Sequence, residues 1–173
     1  QILEYTKNQH VQNRLILTKF NLKQEIHSIL KAIEPYIETR NNQFIIHENI
    51  DPDIEVNSDK TKLNQVFMNI LGNANKFTEN GTISVNVGIQ TVNKNTIVMD
   101  TKIADTGAGI SESDLENIFE PYYQGIISDE VENLGAGLGL SLCKEIIALY
   151  DGEISAESVQ NQGTTVSFFV KLN

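Results

Sequence analysis

Asp105-Thr-Gly-Ala-Gly-Ile110 and, some 25 residues later, Gly135-Ala-Gly-Leu-Gly-Leu140 decide how this chain is read. Each is a glycine-rich turn. Glycine lacks Cβ, so it reaches positive φ and leaves amide N–H groups open to a phosphate. An Asp leading the first turn can accept a hydrogen bond from an adenine amino group. Two such turns, preceded by an Asn- and Lys-bearing helix, predict a backbone that approaches a nucleotide closely.

Working outward, the second turn opens a helix over 138–150, with apolar groups repeating at Leu138, Leu142, Ile146 and Tyr150. Its N-terminus would offer free N–H groups and a partial positive charge to a triphosphate. The first turn follows a strand over 96–104, itself preceded by an Asn80-Gly81 turn and an alternating run, Ile83, Val85, Val87 and Ile89. Ser111 can cap a short helix with Asp114 three residues on. Apolar steps of three and four predict a helix over 22–40. Gln43–His47 and Ile54–Val56 read as short strands around Asp51-Pro-Asp53, and 152–157 and 164–172 read as two closing strands. Residues 1–19 have patchy apolar spacing and read as the end of a helix plus a connector. This order predicts an α/β (α+β) two-layer sandwich with a mixed sheet, not a doubly wound parallel one. Neither glycine run is a Walker motif, since no Gly-Lys-Ser/Thr follows.

The helix predicted over 59–77 carries two stripes. Leu63, Val66, Phe67, Ile70, Leu71 and Ala74 form an apolar one; Asn69, Asn73 and Lys76 follow steps of four and three beside it. The apolar stripe would pack on the sheet, which leaves the polar one facing a cleft. An amide oxygen suits Mg²⁺, a hard ion that keeps several waters when held with phosphates. A Lys one turn on can neutralise phosphate charge.

Composition narrows the class. A net charge of −10 argues against non-specific nucleic-acid binding. No apolar run nears the roughly 18 residues of a membrane span, and no secretory signal is visible. The single Cys143 has no partner for an internal disulfide and falls on an apolar helix face, as a small core residue does.

Together these pieces resemble the catalytic, ATP-binding domain of sensor histidine kinases. That domain belongs to the Bergerat-fold ATPase superfamily, with DNA gyrase, mismatch-repair ATPases and a heat-shock chaperone. Asn69-Ile-Leu-Gly-Asn73-Ala-Asn-Lys76-Phe77-Thr78 resembles the family's N box. Asp105–Ile110 and Gly135–Leu140 resemble its two glycine boxes, and Ile118–Gln124 its phenylalanine box. Gly163-Thr-Thr165 resembles the last strand's adenine-side threonine. The likeness covers roughly residues 20–173. It implies a mostly antiparallel sheet with helices on one face.

The resemblance also implies roles. Asn73 would coordinate Mg²⁺, and Asn69 would lie beside the phosphates of ATP. Lys76 would contact phosphate, which makes Asn69 and Lys76 the catalytic candidates. Phe77 would sit near the nucleotide. Asp105 would read the adenine amino group, with Gly107, Gly109, Ile110 and Thr165 nearby. Residues 120–136 would form a lid, and Gly135, Gly137, Leu138 and Gly139 would surround the triphosphate.

Hydrolysing members of the superfamily usually carry a Glu where this chain has Asn69. An amide cannot take a proton from water as a general base does. The expected chemistry is therefore transfer of the γ-phosphoryl to a histidine, through positioning and charge neutralisation. The family's acceptor histidine is followed by an acidic residue and, soon after, a proline, on a helical dimerisation domain. His10, His27 and His47 lack that setting. The expected partners are thus the dimerisation domain of the same protein, whose end residues 1–19 would be, and a response-regulator receiver domain. A monomeric fragment on the cytoplasmic side is expected, with no nucleic-acid partner. The lid departs from the family: no Lys or Arg lies between Lys102 and Lys144, and Asp129, Glu130 and Glu132 are acidic. A Bergerat-fold hydrolase and a degenerate nucleotide-sensing module remain alternatives at this point.

Overall fold

The computed structural model describes residues 14–123 and 137–173. Strand β1 (Thr18–Asn21) leads into helix α1 (Leu22–Glu38). Strands β2 (Gln43–Asn49) and β3 (Glu55–Ser58) precede helix α2 (Lys60–Phe77). Strands β4 (Thr82–Asn93) and β5 (Thr96–Asp105) form a hairpin, followed by the single-turn helix α3 (Glu112–Leu115). Helix α4 (Gly139–Leu149) and strands β6 (Glu153–Val159) and β7 (Gly163–Leu172) complete the order.

The main sheet has the order β2-β4-β5-β7-β6, and β1 and β3 make a separate two-stranded ribbon. Only β2 and β4 run parallel; the other pairs are antiparallel. The sheet is therefore mixed and mostly antiparallel. Its strands alternate, so one face is apolar: Ile83, Val85, Val87, Met99, Ile103, Val166, Phe168 and Val170 are all buried. Helices α1, α2 and α4 cover that face with Ile26, Leu30, Ile33, Leu63, Phe67, Ile70 and Ile146. Phe67 of α2 meets Phe168 of β7 edge to face, with centroids 5.6 Å apart. The apolar stripe read on α2 is buried from Leu63 to Ala74.

Both long helices near the start carry side-chain caps. The Asn21 and Asp59 side chains accept from the Gln24 and Lys62 N–H groups, at 2.9 and 3.0 Å. Asp59 does more. Its second carboxylate oxygen accepts from Ile16 N–H at 2.8 Å, and its carbonyl accepts from the Tyr150 hydroxyl at 2.9 Å. The Ser111 cap also forms, with its hydroxyl accepting from Asp114 N–H at 3.2 Å.

Three expectations shift. Thr18 and Lys19, read as linker, pair with Ser58 and Asn57 and belong to the folded body. Residues 1–13, with His10, lie outside the described residues. The alternation ending at Ile89 continues as strand to Asn93, because pairing with Thr96–Val98 extends the ladder where no face needs burial. On α4 the buried face is Ser141, Cys143, Ile146 and Ile147, continued by Tyr150, while Leu138 is exposed. Cys143 is fully buried, with its thiol 3.8 Å from the Val66 carbonyl of α2, whereas Leu142 is only half-buried.

Candidate functional site

The polar stripe of α2 faces the start of α4. The Asn69 amide donates to the Gly139 carbonyl at 3.4 Å, and Asn69 is the nearest group to the space a Gly139 side chain would fill. Helix α4 has no side-chain cap. Its N-terminal dipole favours an anion. Asn73 lies one turn along α2 from Asn69. Lys76 lies one turn further, with Nζ 5.3 Å from the centroid of the Phe77 ring. All three are half-buried.

The first glycine turn docks on the end of α2. Phe77 carbonyl accepts from Ala108 N–H at 3.1 Å. A Cβ at Gly107 would overlap that same carbonyl, so only glycine fits. Phe77 thereby joins the helix carrying Asn69, Asn73 and Lys76 to the turn carrying Asp105.

Asp105 closes β5 on the helix-covered face. One carboxylate oxygen accepts from Gly107 N–H at 2.8 Å and more distantly from Thr164 N–H at 3.4 Å. Burial pushes its carboxyl above the ordinary value of 3.8. The Gly107 and Thr164 amides and the Thr78 hydroxyl oppose that rise. The Thr78 hydroxyl itself is buried and has no hydrogen-bond partner within normal distance. A buried orphan beside a carboxylate marks a polar recess built for something other than protein.

Several groups brace the turn from the β6–β7 side. Ala108 carbonyl accepts from Asn161 N–H at 2.6 Å, and Ile110 N–H donates to Ser158 Oγ at 2.8 Å. At the start of α4, Gly137 has φ +69° and its carbonyl accepts from Tyr122 N–H at 2.9 Å. Tyr122 and Gly137, at the two ends of the segment read as a lid, therefore touch. Gly135, Gln124 and the acidic lid positions lie outside the described residues.

Register moves one expectation by a residue. Thr165 pairs with Ala104 and Glu157, on the face of the sheet that no helix covers. Thr164 pairs with Ser158 on the covered face, and its backbone N–H points to Asp105. The threonine beside Asp105 is Thr164, because side chains alternate and Asp105 itself faces inward. Sequence reading also missed Thr78, Ser158 and an amide network beneath the site. Asn42 donates to Asn75 Oδ1 at 2.9 Å and to the Thr78 carbonyl at 2.8 Å; Asn75 donates to the Tyr36 carbonyl at 2.9 Å. The signal for Asn75 was faint. It adjoins Lys76 in sequence yet points to the opposite, fully buried side of α2.

A concavity of about 940 Å³ lies elsewhere, on the uncovered face against His47, Asn86, Lys102 and Phe169, and touches none of these residues. His27 and His47 are exposed. Burial pushes the Cys143 thiol up to about 12, as expected of a core residue.

Donors and geometry fit a nucleotide with its metal. Among the described residues no cluster of acidic, His or Cys side chains could hold a metal ion unaided. Asn73 offers one neutral oxygen ligand, which suits an Mg²⁺ that arrives with phosphates and keeps its waters.

Comparison with known proteins identifies the family. The chain is 32% identical over 165 residues to the autoinducer 2 sensor kinase/phosphatase LuxQ of Vibrio vulnificus (strain YJ016). That match covers 95% of this chain and 19% of the relative, so the chain spans about a fifth of that protein's length. The catalytic domain of histidine kinase ThkA superposes with a TM-score of 0.68 at 27% identity, covering 90% of this chain and 95% of that domain. ThkA in complex with the response regulator protein TrrA superposes at 0.67 and 26% identity, covering 92% of this chain and 42% of the other. Residues 58–173 match the family described as histidine kinase-, DNA gyrase B- and HSP90-like ATPases. The chain belongs to that family, as an ATP-binding domain of the sensor histidine kinase kind.

Proposed function

We propose that this domain binds Mg-ATP and donates its γ-phosphoryl group to a histidine on a dimerisation domain of the same protein, with the residues before Thr18 as the connection between them. The observation that carries the reading is Asn69 lodged against the open N-terminus of α4. Amide donors are gathered where a triphosphate would lie, and the residue beside it cannot act as a base toward water.

In this reading Asp105 accepts from the adenine amino group, with Thr164 beside it. Gly107 and Gly109 let the backbone approach the base, and Ile110 borders it. Gly135, Gly137, Leu138 and Gly139 leave the start of α4 open to the phosphates. Asn73 contributes an oxygen toward Mg²⁺, and Lys76 offsets phosphate charge. The ion, when bound, neutralises charge across the β- and γ-phosphates. The acceptor imidazole nitrogen forms a bond to γ-phosphorus as the bond to the β,γ-bridging oxygen breaks, and ADP leaves. The protein's part is positioning and electrostatics.

The phosphoryl group would then pass to a response-regulator receiver domain, in keeping with the ThkA–TrrA complex. The isolated domain is proposed to be monomeric. No helix among the described residues is long and apolar enough to cross a membrane, which accords with a place on the cytoplasmic side of a sensor.

Calorimetric titration with a non-hydrolysable ATP analogue, with and without Mg²⁺, tests the reading. Micromolar binding strengthened by Mg²⁺, a background rate of ATP hydrolysis, and phosphohistidine on adding the dimerisation domain are expected. No binding up to millimolar analogue would sink it in favour of a sensing module. Brisk hydrolysis without the acceptor would favour an ATPase.

A further inference from the structure

We propose that Ser158 is a positioning residue that sets the hydrogen-bond polarity of Thr164 and so makes the base pocket select a 6-aminopurine over a 6-oxopurine. The proposal rests on the ATP-binding reading above. Ser158 itself need not touch the nucleotide.

Proton counting around one hydroxyl carries the argument. A serine Oγ has one proton to give and two lone pairs to fill. Ser158 Oγ lies 2.8 Å from the Gly163 carbonyl, which can only accept. It lies 2.8 Å from Ile110 N–H, which can only donate. Its one proton is therefore spent on Gly163, and one lone pair on Ile110. The third neighbour is Thr164 Oγ1 at 2.9 Å. Only a lone pair remains for it, so Thr164 must be the donor in that bond. Its proton is turned toward Ser158, and it keeps only lone pairs for any ligand.

Asp105, beside Thr164, is a carboxylate and likewise only accepts. The base-reading edge thus offers two acceptors. An exocyclic amino group has two N–H donors and matches it. The oxo group of hypoxanthine or guanine would bring lone pairs against lone pairs, and buried acceptors left unpaired are costly. Without the Ser158 hydroxyl, Thr164 rotates freely and can donate to an oxo group.

The same hydroxyl fixes the glycine turn in place. It spans three segments: the turn at Ile110, the hairpin at Gly163 and the start of β7 at Thr164. Losing it would loosen the turn for any purine. Selectivity, rather than affinity, is thus the readout that a merely structural role would not move.

The test measures affinities of ATP and inosine triphosphate for this chain, the Ser158→Ala variant and the Ser158→Thr variant, which keeps a hydroxyl. A wild-type preference for ATP, reduced about fivefold in Ser158→Ala and restored in Ser158→Thr, is the expected result. Parallel weakening for both nucleotides, or no change, overturns the proposal while leaving ATP binding intact. A wild-type chain that binds neither nucleotide overturns the ATP reading and this proposal with it. Should Ser158→Ala fail to fold, Thr164→Val removes the oriented hydroxyl directly. An unchanged ATP-to-inosine preference there overturns the proposal as well.

Discussion

Gly109 lies against Val159 so closely that a Cβ on Gly109 would overlap the Val159 carbonyl oxygen. Its φ is +66°. The two facts have one origin. Ala108 and Ile110, on either side, are hydrogen-bonded to the β6–β7 hairpin, and the backbone between them must turn left-handed against it.

Gly109→Ala is therefore expected to cost about 2 kcal/mol or more, from left-handed backbone strain plus the backbone clash. Gly72→Ala is the control. It sits mid-helix in α2 with nothing within 4 Å of the added Cβ and no positive φ. It is expected to stabilise by about 0.5–1 kcal/mol. Urea unfolding of the two variants reads the opposite signs, and a shared sign would refute the assignment.

Asn75→Ala should destabilise by about 2–3 kcal/mol. It removes two hydrogen bonds from a fully buried position and leaves one Asn42 N–H unmet, while the Tyr36 carbonyl keeps the Thr39 hydroxyl. Asn42 also accepts from Gly81 N–H and donates to the Thr78 carbonyl. The loss should therefore reach the Asn80-Gly81 turn. Hydrogen exchange at Gly81 should speed up; an unchanged rate would limit the network to local packing.

Under the proposed reading, Asp105 should make nucleotide affinity depend on pH. Its folded-state carboxyl titrates above 3.8 because burial penalises the charge. For the free domain, this group withholds stability above its folded value and returns it as pH falls toward 3.8. Binding has the opposite sign. An adenine amino group favours the carboxylate, so affinity should be flat above the folded value and fall as pH drops through it. Asp105→Asn should bind at least about tenfold more weakly and lose that slope. A slope that survives the substitution would locate the titrating group elsewhere.

Cys143 should be inert in the native domain. Its thiol is buried and held near 12, so almost no thiolate exists at neutral pH. A disulfide reagent should label it only at the rate of unfolding. Rapid labelling in native buffer would contradict the packing of α4.

Much of this architecture was legible because it follows short-range periodicities. The α2 stripe, the β4 alternation and the Ser111 cap each depend on residues within a turn or two of one another. What escaped depends on long-range register. β1 has only four residues, and its pairing with β3 is set by the ribbon, not by its own pattern. The parity of Thr164 and Thr165 depends on where Gly163 starts its strand opposite Val159. The helix N-termini and glycine turns were visible as motifs. The hairpin that braces them was not, because Ser158 belongs to no motif and matters only through three partners it meets in space. The same is true of Asn42 and Asn75, which are 33 residues apart.

Asp59 has a mechanical consequence. Its side chain holds Ile16 on one side and the first turn of α2 on the other, and its carbonyl holds the hydroxyl at the end of α4. Displacement of the residues before Ile16 therefore loads this one junction ahead of the β1–β3 ribbon. The helices that carry Asn69 and Gly139 both meet Asp59 at the ends remote from those residues, with Asp59 as the common fulcrum. A displacement at Ile16 should therefore reach both helices from their far ends.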